Sequence, residues 1–191
     1  MGSDKAVLDL AGTRLLDLAV TALEPLTGAV ILATGEAPRY TELGLDTVVD
    51  SHPGCGPLGG LVAGLEHSQQ HGRDVVLVLA CDTPRADADL YGLLVERLES
   101  TGADACLLRT ADGIEPLCAV YRTSCAAPAR AALDAGRRRM TSFHMSIELT
   151  HLDETELPQE LAEKRPATNV NTPSEYEAER AYCDRREAQE R

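Results

Sequence analysis

Asp74-Val75-Val76-Leu77-Val78-Leu79-Ala80-Cys81-Asp82-Thr83-Pro84 is the stretch that decides the fold. Its opening residues are the most apolar strand candidate in the chain. A continuous apolar run of that length suits a central strand buried on both faces of a sheet. A carboxylate follows where the strand ends, and open α/β sheets bind ligands in the crevice beyond the carboxyl ends of their strands. Asp82 is therefore the leading candidate for a functional residue.

Working outward, apolar residues recur at helical spacing from Leu58 to about Gln70 and from about Asp87 to Glu99. Further helices are predicted over Thr13–Leu23, with Thr13 as N-cap, and over Ala126–Ala135. Thr172-Pro173-Ser174-Glu175 has the pattern of a capping box opening a last helix, and the charged tail from Asp184 is expected to fray. Short strands are predicted at Ala29–Ala33, Thr47–Val49, Ala105–Leu108, Leu117–Tyr121 and Ile147–Leu152. Alternation of strand and helix predicts an α/β fold: a Rossmann-like, mostly parallel sheet with helices on both faces. The turn at Ala111-Asp112-Gly113 adds a small antiparallel insertion. At 191 residues one domain is expected.

Composition narrows the function. A net charge of −13 and a pI near 4.7 argue against a broad nucleic-acid surface, and the chain has no tryptophan and one phenylalanine, Phe143, for stacking. No apolar run approaches the length of a membrane span, and no secretion signal opens the chain, so a cytoplasmic protein is expected. The six cysteines form no C-x-x-C pair and read as reduced, packed thiols. Five histidines show no ligand spacing, and no G-x-S-x-G nucleophile pattern occurs.

Three loops would meet at the carboxyl edge of the sheet. In the first, Asp50 ends a strand and Gly56-Pro57-Leu58-Gly59-Gly60 starts a helix whose first amides lack internal partners. It reads either as a nucleotide contact or as an ordinary strand-to-helix turn with a solvated cap. Asp82-Thr83-Pro84 reads as a magnesium site, since such an ion takes one or two carboxylates plus substrate phosphates, or as an Asx-turn. In Asn169-Val170-Asn171-Thr172-Pro173 the two asparagines project to one side, toward a polar ligand, or else serve the turn before the last helix. Arg137-Arg138-Arg139 is a cationic cluster suited to phosphate or to solvent.

Taken in order, five segments resemble the molybdenum cofactor guanylyltransferases, MobA-like nucleotidyltransferases. They are Met1 through Ala6, Gly56 through Gly60, Cys81 through Pro84, Pro116 through Tyr121, and Asn169 through Pro173. The resemblance implies transfer of GMP from GTP to molybdenum-molybdopterin, with release of pyrophosphate. It implies that Lys5 contacts nucleotide phosphates, that Asp50 and Gly56 bind the nucleotide, that Asp82 binds Mg2+, and that Asn169 and Asn171 lie on the pterin side. Lys5 and Asp82 are its catalytic candidates. Molybdenum-cofactor insertion proteins or acceptor apoenzymes would be its protein partners. A related nucleotidyltransferase using CTP or a sugar phosphate is the alternative enzyme. A non-catalytic remnant that binds molybdenum-cofactor proteins is the alternative outside catalysis.

The family normally opens with a strand and a glycine-rich loop before the Met-Gly-x-Asp-Lys segment, and this chain starts at that methionine. The resemblance thus implies a domain, residues 1–191, lacking the middle strand of its sheet and the loop that cradles a triphosphate. The expectation is that the natural protein carries both.

Overall fold

A computed structural model describes residues 4–50, 52 and 54–189. Met1, Gly2 and Ser3, the start of the first family-like segment, lie outside the described residues. The chain opens with a hairpin that periodicity did not foresee, β1 (Asp9–Leu10) and β2 (Thr13–Arg14). Ala11 and Gly12 turn it, both at positive φ, and Asp9 accepts the Gly12 amide at 3.0 Å. Thr13 is therefore a strand residue paired with Leu10 instead of a helix cap. Helix α1 (Leu15–Leu23) begins after it without a side-chain cap.

Strand β3 (Ile31–Ala33) pairs in parallel with β4 (Asp46–Val48). Helix α2 (Pro57–Gln70) crosses to β5 (Val75–Leu79), and α3 (Ala88–Thr101) crosses to β6 (Ala105–Thr110). Asp87 caps α3 by accepting the Leu90 amide at 3.1 Å, and Gly102 ends the helix in the left-handed conformation. The hairpin turned at Ala111-Asp112 sends β7 (Gly113–Arg122) back along β6. Helix α4 (Ala126–Asp134), strand β8 (Leu149–Asp153), a short unforeseen α5 (Gln159–Lys164) and α6 (Pro173–Gln189) complete the chain. Glu175 accepts the amides of Asn171 and Thr172, and Thr172 accepts that of Glu175, so the last helix starts as its sequence indicates. It continues helically past Asp184 to Gln189 where fraying was expected.

The larger sheet has the order β5-β7-β6-β8. β7 runs antiparallel to both neighbours, while β6 and β8 are parallel. The antiparallel piece thus lies inside the sheet and makes it mixed, because the tight turn at Asp112 places β7 beside β6. Alternation along the strands divides the core into two faces. Val76, Val78, Ala105, Leu107, Ala119 and Tyr121 pack with α2 and α4. Val75, Leu77, Leu79, Cys106, Leu108, Cys118 and Val120 pack with α3 and α5. Each fully buried leucine, such as Leu58, Leu65, Leu90 or Leu94, contributes about 1.5–3 kcal/mol.

One expectation needs correction. β5 is not a strand buried on both sides: all five of its residues are half-buried. It pairs with β7 on one edge, and no described strand pairs with the other. β3 and β4 form a separate two-stranded sheet. Cys55, Cys106, Cys118 and Cys125 are buried thiols, as the sequence suggests. Among the described residues no helix is long and apolar enough to cross a membrane.

Candidate active site

β3 and β5 present their carboxyl ends to a cavity of about 500 Å³ lined by Lys5, Asp50, Gly56 and Asp82 among others. Four residues singled out from the sequence therefore share one site. Asp82 and Thr83 leave the end of β5, and the backbone there is fixed from two sides. Thr83 donates its amide to the Ala80 carbonyl, and the Asp82 carbonyl accepts the Val170 amide at 2.8 Å. Thr83 Oγ1 also donates to Asn169 Oδ1 at 2.9 Å.

Lys5 reaches across to this loop. Its Nζ lies 3.4 Å from Asp82 Oδ2 and 2.5 Å from Asn171 Oδ1. The lysine and the carboxylate are each about one quarter exposed, so a ligand can still reach them. Asp82, Asn169 and Asn171 line a second, smaller cavity of about 180 Å³ with Glu115. That cavity leads to a groove of about 420 Å³ which shares Glu115 and Asn169. Asp82 therefore stands on the wall between a nucleotide-sized cavity and an asparagine-lined one.

The first loop meets the cavity from the other side. Gly56 has φ +65° and ψ −155°, a backbone conformation essentially closed to residues with a Cβ. It turns the chain into α2 with Pro57 in the first turn and no side-chain cap, and Gly56, Pro57, Gly60 and Leu61 line the cavity there. The Asp50 carboxylate lies against that turn. A Cβ on Gly59 would stand 2.7 Å from Asp50 Oδ2, so glycine there makes the approach possible. Asp50 Oδ1 is buried without a hydrogen-bond partner. Burial, and then nearby Glu36, hold its carboxyl above the ordinary aspartate value. A buried, unpaired acceptor is costly in a folded protein unless a ligand pairs with it.

Residues that the sequence did not single out complete the wall. Asp4 accepts from Tyr40 Oη at 2.6 Å and pairs with Arg39. Tyr40 is pushed up to about 12 by burial and by its bond to Asp4, so it stays a neutral donor. Burial raises the Glu115 carboxyl, opposed by neighbouring Asn169, with Asp112 and Asp82 adding to the rise. Cys81 is pushed up to about 11 by burial and then by Asp82, which leaves it a thiol and not a nucleophile. Behind the site Arg85 forks onto Glu179 of α6 with contacts of 2.6–3.0 Å. Glu115 directly precedes the family-like run Pro116–Tyr121, and Arg85 directly follows Pro84, so adjacency could have flagged both. No sequence signal pointed to Glu179. Arg137, Arg138 and Arg139 are exposed, and Arg138 donates to the Gly54 carbonyl, near the Gly56 turn.

The donor set accommodates magnesium in a particular way. Among the described residues no three His, Cys, Asp or Glu side chains gather to hold a metal. Asp4, Asp50 and Asp82 line the large cavity against two cations, Lys5 and Arg39. A triphosphate would thus meet net negative charge unless a cation came with it. One carboxylate completed by substrate phosphates and water is ordinary coordination for magnesium, and Asp82 fits that part.

The profile described as a MobA-like NTP transferase domain matches residues 1–150. A probable molybdenum cofactor guanylyltransferase of Carboxydothermus hydrogenoformans is 29% identical over 177 residues, 93% of this chain and 87% of its own length. A molybdenum cofactor guanylyltransferase of Cereibacter sphaeroides is 35% identical over 144 residues, 74% of this chain and 72% of its own. The crystal structure of molybdopterin-guanine dinucleotide biosynthesis protein A from Archaeoglobus fulgidus superposes with a TM-score of 0.83. At 22% identity it covers 96% of this chain and 92% of that one, and shows a shared fold.

Proposed function

We propose a specific reaction for this chain, which belongs to the MobA-like NTP transferase family and is a nucleotidyltransferase of molybdenum cofactor biosynthesis. The donor is GTP, the acceptor is molybdenum-molybdopterin, and the products are the guanine dinucleotide cofactor and pyrophosphate. One observation supports this most: Asp82 is common to the cavity of Lys5, Asp50 and Gly56 and to the cavity of Asn169 and Asn171. Donor and acceptor phosphates entering from the two sides would meet at one carboxylate and one ammonium group. Phosphoryl and nucleotidyl transfers depend on such alignment and charge neutralisation more than on a protein nucleophile.

In this reading an oxygen of the acceptor phosphate attacks the α-phosphorus of GTP. The new P–O bond forms as the bond from the α-phosphorus to the bridging oxygen breaks, and pyrophosphate leaves with that electron pair. Asp82 would hold magnesium, which neutralises triphosphate charge when bound. Lys5 offsets charge on the phosphates and is oriented by Asn171. The glycine turn at the start of α2 would border the nucleotide, and Asn169, held by Thr83, would face the acceptor.

Asp50 supplies the choice of base. Guanine presents two adjacent donors, its ring N–H and its exocyclic amino group, whereas cytosine presents one amino group. A carboxylate with a buried unpaired oxygen is matched by the former. With these substrates the reaction belongs to the cytoplasm, and the product passes to insertion proteins or acceptor apoenzymes.

The test is thermal unfolding of the protein with each nucleotide. GTP with magnesium is expected to raise the melting temperature by several degrees, more than GTP with EDTA or CTP with magnesium. Stabilisation by CTP and not by GTP would overturn the assignment.

A further inference from the structure

β7 carries a large bulge beside the site. Leu107 of β6 pairs with Ala119, but Leu108, the next residue, pairs with Glu115. Pro116, Leu117 and Cys118 are thus extra on the β6 side, while Cys118 still pairs with Leu79 of β5 and the Leu117 carbonyl accepts the Ala80 amide at 3.0 Å. Tyr121, fully buried, donates its hydroxyl to the Pro116 carbonyl at 2.9 Å and holds the distortion in place. Bulges are common next to active sites, where they re-aim a side chain. The side chain at the end of this one is Glu115. It lines the 180 Å³ cavity with Asp82 and Asn169, and also the 420 Å³ groove that continues from it.

The surroundings of Glu115 leave its oxygens for a ligand. It is half-buried, its charged neighbours are the acids Asp112 and Asp82, and among the described residues it makes no ion pair. The other glutamates of the groove are engaged with backbone. Glu154 accepts the Ala111 amide at 2.9 Å, and Glu175 accepts those of Asn171 and Thr172 at 2.7 and 2.8 Å. Asp112 is exposed on the β6–β7 turn. A carboxylate has about four acceptor positions, and neighbouring Asn169 can fill only part of that capacity. A desolvated carboxylate without a cation calls for hydrogen-bond donors.

We propose that Glu115 is a specificity-determining residue for the acceptor, accepting the adjacent amino and ring N–H groups of its pterin as a bidentate pair. The assignment rests on the reading of the acceptor as molybdenum-molybdopterin. That molecule carries a phosphate at one end and the donor pair of its pyrimidine ring at the other. The site is polarised in the same sense. Lys5, in contact with Asp82 and Asn171, offers an ammonium group at the reacting end. The groove beyond Glu115 is lined by Asp112, Glu154 and Glu175, with Arg165 as its cation. A phosphate entering the groove would meet like charge, whereas the donor pair meets an acceptor. Attraction at the correct end and repulsion at the wrong one together set the orientation.

Glu115→Gln tests this, since it keeps the side chain's size and replaces one accepting oxygen with a donating amino group. The KM for molybdopterin is expected to rise about 10–100-fold, the range for lost hydrogen bonds to a charged group. The KM for GTP and the magnesium midpoint should not change. A binding measurement independent of turnover uses 6-hydroxymethylpterin and 6-hydroxymethyllumazine, which has a carbonyl in place of the 2-amino group. Amide NMR shifts at Glu115 and Asn169 should show the parent binding the pterin at least tenfold more tightly, and Glu115→Gln should abolish that preference. Equal binding of the two rings by the parent, or a preference that survives the substitution, would overturn the assignment. So would a raised magnesium midpoint in the variant, which would make Glu115 a metal ligand. No shift with either ring, together with turnover of the parent on a sugar phosphate, would overturn the acceptor reading and the role of Glu115 with it.

Discussion

Gly59 lies so close under Asp50 that a methyl group on its Cα would stand 2.7 Å from the carboxylate oxygen Oδ2. The nearest obstacle is the far end of a side chain, so Gly59→Ala should displace the carboxylate without disturbing the backbone. Alanine also favours the helix by roughly 1 kcal/mol over glycine, which offsets part of the crowding. The expected result is a near-normal melting temperature with an increase in KM for GTP of about tenfold. Gly92→Ala in α3 is the control, since nothing lies within 4 Å of its Cβ position. It should stabilise the protein slightly and leave KM unchanged. Equal KM values for the two variants would dissociate Asp50 from nucleotide binding.

The same carboxylate predicts a pH dependence. Burial raises the Asp50 pKa in the folded state, so folding favours its protonated form. Its contribution to stability is complete below the unfolded value, near pH 4, and is lost as pH rises through the folded value. Asp50→Asn removes a group that is unfavourable when ionised. It should melt higher than the parent at pH 7, with the difference shrinking toward pH 3, and it should bind GTP more weakly. A difference in melting temperature that stays constant from pH 3 to pH 8 would show that the Asp50 charge is not the cause.

Strand and helix order were legible in the sequence because burial writes itself as periodicity: Leu58, Leu61, Val62 and Leu65 mark α2, and Leu90, Leu94 and Leu98 mark α3. The loops carrying Asp50, Asp82 and Asn171 were legible because they follow strands or precede a helix. The β1–β2 hairpin was not, since its turn depends on Ala11 at positive φ, a conformation that alanine does not announce. The unpaired edge of β5 could not be read from its own residues, which are as apolar as those of a central strand; only the family resemblance led to the expectation of a missing neighbour. Glu179 was hidden for another reason: its partner Arg85 is 94 residues away, and pairing at that range leaves no local pattern.

Arg85 and Glu179 make a prediction about how the asparagine loop is held. Their side chains are 13% and 2% exposed, and the arginine also donates to the Lys164 carbonyl and stacks on Tyr182 at 3.6 Å. Glu179→Ala leaves a buried guanidinium unpaired and should cost about 3–5 kcal/mol. Replacing both residues together, as Arg85→Met with Glu179→Leu, should recover much of that loss. Urea unfolding of Arg85→Met, Glu179→Leu and the double variant measures the coupling. A strictly additive double variant would mean that the pair does not act as a unit.

Asp82→Asn tests the centre of the proposed reaction. The substitution keeps the size of the side chain and its place beside Thr83 but removes the negative charge that faces Lys5 at 3.4 Å. The backbone bond from Val170 to the residue 82 carbonyl does not depend on that side chain, so the loop should keep its shape. The contact with Lys5 is long, and Lys5 keeps its bond to Asn171 Oδ1, so the loss of charge should change stability little. Transfer should fall by about 10²–10³-fold, the range seen when one preorganised electrostatic group is removed from a reacting centre. Pyrophosphate release over a magnesium titration is the measurement, with circular dichroism to confirm the fold. Turnover within a few-fold of the parent, at the same magnesium midpoint, would remove Asp82 from the mechanism and leave Lys5 and Asn171 without the group they are arranged around.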